Sequence, residues 1–94
     1  MTWKKAPGAR LDYTFDWSRW MQPGEAITTA TATATNNATI EQVQTAGSNV
    51  TAWISGGTEG KSTMLRVQIE TDQGRTDARQ IRIEIAETTI ERIE

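Results

Sequence analysis

The sequence predicts an all-β fold, a single antiparallel β-sandwich of about six to seven strands, and three observations predict it. Apolar and polar residues alternate with a period of two through most of the chain. Clusters of Gly, Pro, Asn and Asp interrupt that alternation at short intervals, as turns between short strands do. Between these turns no stretch keeps a convincing helical period, and 94 residues suffice for one domain with one modest core.

The elements follow in order. Residues 1–10, "MTWKKAPGAR", combine two lysines with an A-P-G break and read as an extended N-terminal arm, too polar and broken to form a strand and mobile by itself. In "LDYTFDW" Leu11, Tyr13, Phe15 and Trp17 share one face, with Asp12, Thr14 and Asp16 on the other, the pattern of a half-buried strand. "AITTATATAT" keeps the same rhythm with small side chains only. Asn36 and Asn37, which tolerate positive φ, turn the chain into "TIEQVQT". "VTAWIS" is apolar on both faces and suits an inner strand. The clearest unit is a hairpin in which Leu65, Val67 and Ile69 are answered by Ile81, Ile83 and Ile85 across a loop at Asp72, Gln73 and Gly74. The sandwich therefore spans residues 11–86. Residues 87–94 form a C-terminal tail in which Ile90 and Ile93, three apart, suit a frayed extension or a helical turn.

Composition excludes much chemistry. With no Cys and no His the chain has no thiolate nucleophile, disulfide, imidazole base or zinc site built from those ligands. Ten basic and twelve acidic residues give a net charge of −2, which offers no basic face for nucleic acid. The N-terminal lysines have no apolar run behind them, so neither a signal peptide nor a membrane span is expected.

Two patterns imitate catalytic motifs. "ISGGTEGKST" approaches the phosphate-binding G-x-x-x-x-G-K-[ST] loop, but Ser55 stands where the first glycine belongs, and the following "MLRVQIE" alternates as a strand instead of opening a helix. Its glycines serve a loop between two strands. Asp12 and Asp16 lie on one strand face about 13 Å apart, too wide for a glycosidase pair. Asp72 and Asp77 flank a hairpin tip, where Asp stabilises turns. All four read as solvent-facing charge, no nucleophile and base converge, and neither an enzyme nor a cofactor is expected.

The informative residues are those suited to contact. Trp17 and Trp53 fall in core register, whereas Trp3 and Trp20 do not: Trp3 sits beside Lys4 and Lys5, and Trp20 precedes Met21 at the "QPGE" turn. The Ala/Thr strand reads first as a sheet-packing or edge strand whose small Ala lets aromatic side chains approach. A single Thr ladder is too little for an ice-binding surface. Being uncharged and free of Pro, the strand also suits pairing with a strand of another chain. The candidate partner-binding residues are therefore Trp3, Lys4, Lys5, Trp20, Met21, Thr29, Thr31 and Thr33.

Three blocks then carry a resemblance: Asp12, Tyr13, Asp16, Trp17 and Ser18; "WISGGTEG" from Trp53 to Gly60; and "GRTD" from Gly74 to Asp77. From about Lys5 to Ile85 the chain resembles a family of small immunoglobulin-like proteins of tailed bacteriophages, the fibre-to-tail adaptors. It departs from the family pattern at Ala32, where a Trp is usual, and at Thr35, Asn36 and Asn37, where a Pro and a reversing turn are usual. Trp53 or Trp20 is expected to fill the space that Ala32 leaves.

The resemblance implies an immunoglobulin-like sandwich and a virion structural protein made in the bacterial host's cytoplasm. Its implied partners are other virion proteins of tail, neck, fibre or capsid, with neither nucleic acid nor membrane, and many copies per particle. Two alternatives remain open: a decoration protein on the capsid surface, and a carbohydrate-binding sandwich that stacks sugars on Trp3 and Trp20.

Overall fold

A computed structural model describes residues 2–87 and contains seven strands in two sheets. They are β1 (Thr2–Lys5), β2 (Arg10–Asp16), β3 (Ile27–Thr33), β4 (Ala38–Ala46), β5 (Asn49–Gly56), β6 (Ser62–Thr71) and β7 (Thr76–Ile85). One sheet has the order β1-β7-β6-β3 and the other β2-β5-β4. The predicted all-β sandwich is present. The expectation for Ile90 and Ile93 lies outside the described residues.

The core is built by the alternation itself. On β5, Val50, Ala52 and Ile54 are buried; on β6, Leu65, Val67 and Ile69; on β7, Ile83 and Ile85. The outward residues between them stay wholly or partly exposed. Each large aliphatic side chain enclosed this way contributes about 1.5–3 kcal/mol. The β6–β7 hairpin has the predicted loop, and Gly74 there adopts φ 75°. Asn36 and Asn37, with φ of 55° and 66°, turn the chain as expected, carrying it from β3 in one sheet to β4 in the other.

Three expectations are corrected. The first concerns the N-terminus: Thr2–Lys5 is a strand, paired parallel to β7 with Trp3 opposite Ile83 and Lys5 opposite Ile85. Period two turns Trp3 and Lys5 to the same face. There Lys5 is buried, and its ammonium donates to the carbonyls of Ala6 at 2.6 Å and Gly56 at 2.8 Å. A buried cation is tolerable because those two acceptors replace water. Backbone pairing continues past the strand, with Ala86 N–H donating to Lys5 C=O at 2.9 Å.

The second correction is Trp53. It stands on the outer face of β5, between the inward Ala52 and Ile54, with the Arg10 guanidinium 4.4 Å from its ring centre. The three-stranded sheet is covered on one face only, so the apolar pattern on both faces of "VTAWIS" does not make it two-sided core. Trp53 consequently does not fill space beside Ala32, which is itself half-buried against the core. The third is Asp77, which is not simply solvated: it accepts a hydrogen bond from Trp17 Nε1 at 2.9 Å.

Candidate docking surfaces

Trp20 and Met21 belong to an end of the sandwich. Both are half-buried and packed against the core. The Arg75 guanidinium lies 3.9 Å from the Trp20 ring centre and donates to the Trp20 carbonyl at 3.1 Å. The same guanidinium grips Glu25 through two parallel bonds, Nε to Oε2 at 2.9 Å and Nη2 to Oε1 at 2.6 Å. Thr71 Oγ1 and Gln22 N–H also donate to that carboxylate, at 2.6 and 2.9 Å. Hydrogen bonding from Arg75 holds the Glu25 carboxyl at about 2, against the opposing effect of its burial. This cluster ties residues 20–25 to the β6–β7 turn. One face of Trp20 is thus occupied by the Arg75 guanidinium.

The opposite situation holds beside β1. Trp3 and Leu11 are 45% and 40% exposed, the large hydrophobic residues most open to solvent among those described. Trp3 meets Tyr13 edge to face, with ring centres 5.9 Å apart. A cleft of about 240 Å³ opens there between Trp3 of one sheet and Asp12 to Phe15 of the other, with Ile81 at its side. The Tyr13 hydroxyl is buried without a protein hydrogen-bond partner. Burial raises the Tyr13 phenol above its usual range, and the Asp12 charge adds to that. Trp3 and Ile81 around such a cleft make an apolar docking surface.

Of the two lysines expected to reach a partner, Lys4 is exposed and available, whereas Lys5 is consumed in the fold by its two carbonyl bonds. Thr29, Thr31 and Thr33 are all exposed on β3, while Ala30 and Ala32 turn inward against the core. β3 pairs with β6 on one side only and is the sheet's second edge. The structure therefore separates the eight candidates: Trp3 with Lys4 at one edge, the three threonines at the other, and Trp20, Met21 and Lys5 in the framework.

Sequence reasoning missed Leu11, Tyr13 and Ile81 as surface residues. Their alternation is that of core, and only the position of Leu11 at the start of its strand, beside Arg10 and the A-P-G break, signals an open end. Among the described residues, no group of three or more acidic side chains is placed to hold a metal ion, and no helix is long and apolar enough to cross a membrane.

Residues 5–84 match the family model described as "Podophage GP4 fiber-tail adaptor protein gp77". The chain belongs to this family. The protein is accordingly a phage structural adaptor and a component of the virion. A search of curated proteins found no match. The matched span includes the three blocks singled out in the sequence, and the structure gives two of them a shared task. Trp17 from the first bonds Asp77 from the third, and Arg79, just beyond, sits 4.8 Å over the Trp17 ring and donates to the Asp16 carbonyl at 2.8 Å. In the middle block, Gly57 packs so closely on Ile85 that an added Cβ would lie 2.7 Å from its side chain.

Proposed function

We propose that this adaptor is a non-enzymatic, immunoglobulin-like connector that joins tail or neck proteins to fibres by docking, in several copies per particle. The observation that supports it most is the placing of two open edges on opposite sides of one four-stranded sheet, Trp3 and Lys4 on β1 and the threonines on β3. A rigid slab with two distinct edges can touch two neighbours at once. The immunoglobulin-like description draws on the order β7-β6-β3 facing β2-β5-β4, with β1 added beside the last strand.

At the β1 edge the mechanism is anchoring. Trp3, and Leu11 near the start of β2, receive apolar side chains of the partner, and Lys4 meets an acceptor on the rim. One such aromatic anchor typically accounts for 2 kcal/mol or more of an interface. Repetition around the particle multiplies the avidity of a small contact without adding new contacts. Nothing in this mechanism calls for a cofactor, nucleic acid or membrane.

The test is assembly in vitro. Phage tails made without this protein should bind fibres only after the purified protein is added back. Fibre attachment to such tails at the wild-type level in its absence would refute the connector function, leaving capsid decoration to be tested by binding to empty heads.

A further inference from the structure

We propose that β3 is a self-association edge: it pairs antiparallel with β3 of a second copy, about a twofold axis through Thr31. The proposal uses the edge described above but not the identity of any virion partner.

The first ground is how the edges differ. An edge strand carries unpaired backbone N–H and C=O groups, and proteins discourage their pairing with charge, bulges or shortness. β1 is four residues long and holds Lys4 and Lys5; β2 holds Arg10, Asp12 and Asp16; β4 holds Glu41 beside a register shift between Ile40 and Gln42. β3 has no charge and no Pro, and its register shift is confined to Ile27–Thr29. From Thr29 to Thr33 its pairing with β6 is regular. Alternate residues of such a strand turn their backbone groups away from the neighbour, here toward open solvent.

The second ground is symmetry. A twofold interface must complement itself. The stretch Thr29-Ala30-Thr31-Ala32-Thr33 reads the same in both directions. Centred on Thr31, antiparallel pairing sets Thr29 against Thr33 of the second copy, Ala30 against Ala32, and Thr31 against itself. Threonines then meet threonines on the outer face, a favourable cross-strand pair, and alanines meet alanines inside.

The third ground selects that register. On the outer face of β6, Thr29, Thr31 and Thr33 are backed by Glu70, Gln68 and Arg66. The Thr31 axis lines Glu70 of each copy up with Arg66 of the other, three strand spacings or about 14 Å away at the backbone. Centring on Thr29 would line up two glutamates, and centring on Thr33 two arginines. That backbone separation exceeds the Debye length of about 8–10 Å, so the charges bias the register weakly, most at low salt, and add little affinity. The product is a continuous eight-stranded sheet with a Trp3 edge at each far end, a bivalent adaptor.

The experiment uses the full chain and its lack of cysteine. Opposed residues in an antiparallel pair lie about 4.5–5.5 Å apart at Cα, within disulfide reach. Thr31→Cys should therefore oxidise to a covalent dimer at least tenfold faster than Thr45→Cys on the β4 edge. Thr29→Cys and Thr33→Cys should each cross-link poorly alone and readily when mixed. Sedimentation of unmodified protein should show a concentration-dependent dimer, lost in Thr31→Lys and in Thr31→Glu and regained when these two are mixed, with melting temperatures confirming that both variants fold. A wild-type protein that stays monomeric at millimolar concentration, or Thr31→Cys cross-linking no faster than the control, overturns the proposal. Should Thr31→Lys instead abolish capture by a tail or fibre protein while the wild type is monomeric, the edge takes a foreign strand and self-pairing is refuted, with the connector function left standing.

Discussion

Trp17 Nε1 donates to Asp77 Oδ2 at 2.9 Å, joining residues 60 positions apart, Trp17 just past the end of β2 and Asp77 on β7 of the other sheet. The indole is fully buried, so its N–H has this carboxylate in place of water. Asp77→Ala should cost about 1–3 kcal/mol, the penalty of an orphaned buried donor. Asp77→Asn, which keeps an oxygen acceptor, should cost less. Urea titration of the two variants measures both, and equal losses would mean that the hydrogen bond contributes nothing of its own.

A pH dependence follows from Glu25. Its folded-state carboxyl titrates at about 2, below the ordinary 4.5, chiefly because Arg75 donates two hydrogen bonds to it. A lowered carboxyl pKa stabilises the fold above the unfolded value, and that contribution disappears as pH falls from about 4.5 towards 2. The melting temperature should decline across that window in the wild type. Glu25→Gln should start lower at neutral pH and show a flatter decline. Parallel slopes for the two proteins would assign the acid sensitivity to other carboxylates.

In the hairpin, Val67 and Ile83 are completely buried. Either residue changed to Asp places an unpaired charge in the core, and both proteins should fail to fold cooperatively. Ile83→Ala is the milder form and should cost about 2–5 kcal/mol. Ile81→Ala, at a half-buried position, should cost less. Thermal melts rank the four, and a wild-type melt for Val67→Asp would reject the packing described.

The loop between β5 and β6 offers a contrast between neighbouring positions. Gly57 has φ 106° and abuts Ile85, so Gly57→Ala is both strained and overpacked, at about 1–3 kcal/mol or more. Lys61 is exposed, and Lys61→Ala should stay within about 0.5 kcal/mol of wild type. Nucleotide binding by the wild type, lost in Lys61→Ala, would restore the phosphate-loop reading that the misplaced glycine argues against.

The parts of the fold legible in the sequence are those dictated locally. Alternation along β6 and β7 and the φ-tolerant Asn36 and Asn37 give strand and turn without knowledge of anything distant. What was illegible depends on contacts across the chain. β1 looked too polar for a strand because its lysine is satisfied by the carbonyl of Gly56, 51 residues away. Trp53 looked like core because hydrophobicity does not say which sheet face is covered, and Arg10 supplies a polar cover for it. The candidate site divides in the same way. Exposure of Thr29, Thr31 and Thr33 follows from their alternation with Ala, whereas the surface role of Leu11 depends on where the two sheets part.

In the proposed function the open β1 edge carries the adaptor's attachment in the virion. The most direct test is the number of adaptor copies and fibres per purified particle when the phage encodes Trp3→Ala together with Leu11→Ala. Both side chains are more than half covered, and Trp3 packs on Tyr13, so a thermal melt of the purified variant first establishes that it folds. Particles depleted of both adaptor and fibres by a large factor, with normal heads, are expected. Particles carrying wild-type numbers of both would contradict the proposed function.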